Sequence, residues 1–268
     1  MAEGQNPEVL YDKDGYIATI TLNRPDRMNT ISAAMLDDLA ATFTRANEDP
    51  DVRVVIFTGT GRAFCAGLDL RAQTGGGDDA LIDENAAVTN LDLRNAPPTV
   101  IHGMDKPTIC AINGSAAGYG MDMALGCDIR IMADSAKLAA AFTKRGILPE
   151  SGGTWFLPRL LGWSRAAEVI FTGRTLSAAE CLDLGLVSHI VPADSVMEEA
   201  RKLATEIAGN APLAVQAAKR LMRMGYNEPF PEHVHHVFLQ LMALMKTDDI
   251  KEGMIAFLEK RKPLFKGR

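Results

Sequence analysis

No stretch of this chain approaches the ~18 uninterrupted apolar residues that a bilayer-spanning helix needs. Its first residues, MAEGQNPEVL, lack the basic-then-apolar pattern of a secretory leader. A soluble, cytoplasmic protein with no membrane partner is therefore expected. A polybasic run is missing too: 28 Lys and Arg are interspersed with 34 Asp and Glu, for a formal net charge of −6. That leaves no stripe to follow a nucleic-acid backbone. The four cysteines, Cys65, Cys110, Cys127 and Cys181, lie far apart without C-x-x-C or Cys/His ligand spacing. They argue against a disulfide framework or structural zinc and read as reduced buried thiols. His233, His235 and His236 are too close in sequence for more than two to share a helical face, so no metal is expected there. Neither a dinucleotide fingerprint nor a P-loop occurs.

What the chain does have is core: 47% of its 268 residues are hydrophobic, enough for one substantial domain. Val9 to Leu22 reads as a hairpin turning through DKDG. Ser32 is a candidate N-cap for a helix to about Asn47, with Met35, Leu36, Leu39 and Phe43 on one face. Val52 to Thr58, Thr108 to Ile112 and Ile129 to Ala133 read as buried strands, the β-and-α alternation of an α/β core. Residues 71–106, with GGGDD and the pair Pro97-Pro98, read as a mobile cover, and His102 within it as a solvated loop histidine. From Ser164 on, the spacing is mostly helical. The clustered methionines Met222, Met224, Met242 and Met245 read as adaptable core or subunit-contact residues.

Two glycine-assisted turns stand out. AINGSAAGYGMDMALG runs from a strand into a helix through Gly114, Gly118 and Gly120, and FCAGLDL follows the buried strand before it. Glycines let a ligand approach the backbone, and N–H groups at a helix start carry partial positive charge. Two such turns on neighbouring strands can bring two amides to one oxygen, an oxyanion hole.

At these motifs the chain resembles the crotonase superfamily, the enoyl-CoA hydratase and isomerase family. The matching pieces are TLNRPDRMN, AFCAGLDL, KPTICAINGSAAGYGMDMALGCDIRI, TGRTLSAAECLDLGLV and FLEKRKPLFKGR, in the family's order over almost the whole chain. The resemblance implies a ββα spiral core over 1–200 and a C-terminal helical trimerisation region over 201–268. It also implies an acyl-CoA thioester substrate of fatty acid metabolism, no cofactor beyond the coenzyme A of that substrate, and a homotrimer or dimer of trimers. Backbone N–H groups of Leu68 and Tyr119 would hold the thioester carbonyl. Coenzyme A would lie against Arg24, Arg27, Ala66, Asp69, Leu70 and Arg71, with Phe257 and Lys260 of a C-terminal helix completing its site, commonly from a neighbouring subunit.

The acid and base depart from the hydratase pattern. Where hydratases carry two glutamates, this chain has Asp122 and Phe142, and a phenyl ring transfers no proton. Glu150, in LPESGG, occupies a place resembling that of the lone catalytic glutamate of some enoyl-CoA isomerases. In an acyl pocket lined by Phe142 and Trp155, desolvation would raise its pKa toward the working pH. The expectation is a hydratase or a 3-to-2 double-bond isomerase using Glu150, helped by Asp122. Alternatives are a CoA-thioester or C–C bond hydrolase on the same enolate chemistry, or a catalytically silent acyl-CoA-binding protein.

Overall fold

The structure, a computed structural model, describes residues 7–69 and 96–268. Strands β1 (Val9–Asp14) and β2 (Ile17–Leu22) form the expected hairpin. They run closer to the tip than the sequence suggests, because Gly15, at φ +56°, makes the reversal in two residues. Parallel pairing then extends the sheet through β3 (Val54–Gly59), β5 (Thr108–Ile112), β7 (Ile129–Ala133) and β10 (His189–Val191). Every residue of β3 and β5 is buried, as strands covered on both faces must be.

A second sheet of three-residue strands was not legible in the sequence. It comprises β4 (Ala63–Cys65), β6 (Ser115–Ala117), β8 (Lys137–Ala139) and β9 (Thr175–Ser177). The chain visits the two sheets in turn: β3 then β4, β5 then β6, β7 then β8. This repeated step from strand to strand to helix winds the expected ββα spiral.

Helix α1 (Ala33–Glu48) begins where expected, with the Ser32 hydroxyl accepting from Met35 N at 3.2 Å. It buries Met35, Leu39 and Phe43, and Phe43 meets Phe57 of β3 edge-on at 5.1 Å. Leu36, by contrast, faces a cavity. The reading of 71–106 as a mobile cover fails over its last part, because Pro97–Gly103 is a helix, α2, with Pro97, Pro98 and Ile101 buried. The prolines sit at the first helical positions, where no N–H is needed. Residues 70–95, most of that segment, lie outside the described residues.

The division at residue 200 also shifts, since it cuts a helix of the core. Val196–Ala208 packs on β3, β5 and β7 and buries Val196, Ala200, Ala204 and Ala208. Beyond it, Pro212–Gly225 is tied back by Arg220 and Arg223, both at 2.6 Å from Asp105, and Lys219 reaches Asp128 at 2.7 Å. Phe230–Leu244 buries none of its residues within the chain. Replacing Ser32 by Ala removes the cap of the helix that carries Leu36, together with a 2.9 Å bond to Glu8. We expect a loss of about 1 kcal/mol, read as a lower urea midpoint at unchanged slope.

Candidate active site

The two glycine turns meet at the edge of the second sheet. β4 and β6 pair in parallel, Cys65 opposite Ala116, so the chain leaves both strands in the same direction and turns at the same level. The turn after β4 is pinned from one side by residues 28–31. Met28 O accepts from Ala66 N, Gly67 O from Ile31 N, and Ile31 O from Asp69 N. Asn29 fixes that loop in turn: it is fully buried, and its amide donates to Thr60 O and Ala63 O at 2.9 and 2.8 Å. This pattern uses the N–H groups of Ala66 and Asp69, and the Leu68 N–H has no acceptor among the described residues.

The turn after β6 behaves likewise. Gly118 N donates to Ala139 O and Asp122 N to Gly118 O, while Tyr119, first residue of the helix Tyr119–Gly126, has an N–H without an acceptor among the described residues. Two glycines allow the turns to touch. A Cβ on Gly120 would fall 2.4 Å from Cys65 O, so the helix start rests directly on β4. Gly67, at φ +100°, adopts a backbone closed to other residues, and a Cβ there would lie 3.9 Å from Tyr119 N. Leu68 and Tyr119 thus stand on two touching turns, their N–H groups without an acceptor among the described residues.

Tyr119 and Glu150 line one cavity of about 640 Å³ with Leu36, His102, Trp155 and Phe156. Asp37 is a second carboxylate on its wall, but the largest charge effect at the Tyr119 phenol is that of Glu150, ahead of Cys65 and Asp122. Burial, then Glu150, raise the Tyr119 pKa, which keeps the phenol protonated. Glu150 is an exposed residue, yet partial burial of its carboxyl raises its pKa above the ordinary carboxylate value. It makes no ion pair among the described residues.

Asp122 is elsewhere. It is fully buried behind the cavity wall, and its Oδ2 accepts from Ser151 Oγ at 2.8 Å and Gly153 N at 3.0 Å. It therefore grips the turn that directly follows Glu150. Its Oδ1 is buried without a partner, and burial pushes its pKa up to about 7. Phe142 is also out of place as an acyl-pocket residue: it is buried against the Gly118 turn, whereas Trp155 does stand in the cavity wall.

The expected coenzyme A contacts divide. Arg24 is committed within the chain, to Glu8 at 2.9 Å, Asp69 at 3.2 Å and Thr30 O at 2.7 Å, so it serves as an internal tie. Asp69 is buried in that arrangement, Ala66 is pinned by Met28, and Arg27 is exposed. Leu70 and Arg71 lie outside the described residues. Phe257 is exposed and lines a different cavity with Leu213, Leu241 and Phe265, while Lys260 ends its helix at φ +54°. Sequence reasoning missed Ser151, Phe156 and the wall position of His102. The helical spacing of Pro97, Pro98 and Ile101 could have placed His102 against packed structure.

Among the described residues no group of three His, Cys, Asp or Glu could hold a metal ion, and no helix is long and apolar enough to cross a membrane.

Comparison with known proteins bears on this geometry. The enoyl-CoA hydratase/isomerase family profile matches residues 12–268. The chain is 37% identical to (E)-benzylidenesuccinyl-CoA hydratase of Thauera aromatica, over 97% of this chain and 99% of that protein. It is 36% identical to carnitinyl-CoA dehydratase of Escherichia coli K12, over 96% and 97%. The crystal structure of an enoyl-CoA hydratase from Bacillus anthracis superposes with a TM-score of 0.91 at 37% identity, covering 98% of this chain and 100% of that one.

Because the folded state holds the Asp122 proton up to about pH 7 and an unfolded aspartate releases it near pH 4, its contribution to stability is full below pH ~4 and fades as pH rises through ~7. Asp122→Asn stays neutral. The stability of the variant relative to the parent should therefore rise between pH 5 and pH 8, measured by urea denaturation at each pH. A difference that does not move with pH would refute the buried-acid assignment.

Proposed function

The chain belongs to the enoyl-CoA hydratase/isomerase family and is an enzyme of that type; from this premise we propose that it shifts the double bond of a 3-enoyl-CoA into conjugation with the thioester. The observation that carries this reading is Glu150 in the cavity that Tyr119 lines, with Phe142 and the buried Asp122 where the hydratase pattern has glutamates.

The N–H groups of Leu68 and Tyr119 hold the thioester oxygen. Glu150 takes a proton from C2, and the electron pair moves onto that oxygen as an enolate. Each donor aimed at it contributes roughly 3–4 kcal/mol to lowering the barrier. Glu150 then returns the proton at C4 as the double bond forms between C2 and C3, so atoms and charge balance without water. A half-exposed carboxyl with a raised pKa suits both halves of this exchange. Asp122 acts through the loop it grips. Arg27 is left to meet the phosphates of coenzyme A, Arg24 being tied internally.

Hydration of a 2-enoyl-CoA is the second reading, favoured by the activities for which the relatives are named. For assembly we propose a homotrimer or a dimer of trimers, supported by the apolar side chains that Phe230–Leu244 leaves exposed, among them Phe230, Phe238 and Leu239.

Following both 3-enoyl- and 2-enoyl-CoA substrates should show isomerisation exceeding hydration. Glu150→Gln should lower kcat about 10²–10⁴-fold while acyl-CoA binding persists. Full turnover by that variant would overturn the assignment. A sedimentation mass equal to one chain would overturn the assembly.

A further inference from the structure

The cavity that holds Glu150 has a second one behind it. This chamber, of about 510 Å³, is lined by apolar side chains including Leu125, Leu160, Ile207, Val215 and Met222. Three residues belong to both: His102, Trp155 and Phe156. Their rings form one edge-to-face cluster, with centroids 5.0 Å apart for His102 and Trp155, 5.4 Å for His102 and Phe156, and 5.2 Å for Trp155 and Phe156.

The members differ in freedom. Phe156 is buried, and a Cβ on Gly152 would come within 2.7 Å of its ring, so it is wedged. Trp155 is partly exposed, with the Arg159 guanidinium 4.0 Å over its face and Tyr226 at 5.8 Å on the chamber side. Burial lowers the His102 pKa, which leaves the imidazole neutral near neutral pH and the cluster uncharged. Cations around the chamber are satisfied by the chain itself. Lys219 meets Asp128, Arg223 meets Asp105, and Arg130 donates to the carbonyls of Leu186 and Cys127. Arg159, a further cation of the lining, lies over the Trp155 ring and donates to Trp155 O, and the apolar side chains around the chamber suit an apolar tail.

Resting on the acyl-CoA reading above, we propose that His102, Trp155 and Phe156 form a partition that ends the acyl pocket and limits chain length, and that the chamber behind it is an extension for a longer saturated tail, closed by the Trp155 indole.

Binding of saturated acyl-CoAs tests this without requiring any chemistry, so the double-bond shift can fail while the partition stands. Isothermal titration of the full-length protein with hexanoyl-, decanoyl- and tetradecanoyl-CoA should give a parent that binds the tetradecanoyl ester no more tightly than the hexanoyl ester. Trp155→Ala should improve the tetradecanoyl-to-hexanoyl affinity ratio about tenfold or more, since burying even a few further methylenes suffices. Adding Val215→Phe, which enlarges another side chain of the chamber's lining, should abolish that gain. Trp155→Leu replaces the alanine variant if circular dichroism shows the latter unfolded. A parent that already favours the tetradecanoyl ester, or a ratio unchanged in a folded Trp155 variant that still binds hexanoyl-CoA, overturns the partition. A parent that binds none of the three overturns the acyl-CoA reading and the partition with it.

Discussion

The contact between two backbone turns, with no side chain between them, is the constraint on which the rest of this structure depends. Gly120 rests on Cys65 O at a distance that no Cβ would permit, and Gly67, at φ +100°, turns toward Tyr119 N in a conformation that side chains rarely adopt. An amide N–H left without a partner is costly unless water or a ligand reaches it. Neighbouring N–H groups of both turns are consumed by the 28–31 loop, by Ala139 O and by Gly118 O. The Leu68 and Tyr119 N–H groups have no acceptor among the described residues. The small second sheet makes sense in this light: strands of three residues bury little, but they fix the height at which each turn begins.

Around this pair, charge is placed sparingly. Arg24, Lys219, Arg220 and Arg223 all have acidic partners within the chain. Glu150 has no ionic partner among the described residues and sits where burial favours its protonated form. An ion pair there would pull the pKa down and leave a carboxylate reluctant to accept a proton. Glu150 stands on a turn rather than a helix, which has a cost in order, because a loop residue explores more conformations than a helical one. Asp122 restricts that freedom by accepting from Ser151 and Gly153, both just after Glu150.

The sequence made the long elements and the two turns legible, because buried β-branched runs and glycine spacing are local signals. The cap at Ser32 and the strands at Thr108–Ile112 and Ile129–Ala133 fall where the pattern puts them. What it hid was non-local. Strands such as Thr175–Ser177 are too short for any periodicity to register, and pairing alone defines them. Asp122 reads as a first-turn aspartate whether it faces water or a loop, and only the fold brings Ser151 and Gly153 to it. Arg24 likewise reads as a phosphate ligand until Glu8 and Asp69 are seen on either side of its guanidinium.

The loop anchor and the partition share one rigid body. The helix Gly153–Leu161 begins with the residue whose N–H binds Asp122, and Gly152 O accepts from both Trp155 N and Phe156 N in its first turn. Arg159, one turn further, covers the Trp155 ring. With a rise of about 1.5 Å per residue, Trp155 stands within a few ångströms along the axis from the end held by Asp122. Any displacement that carried Glu150 away from the two amides would carry the aromatic wall with it. On the readings proposed above, the position of Glu150 along the acyl chain and the point at which the chain must stop are set together, from the same buried carboxylate.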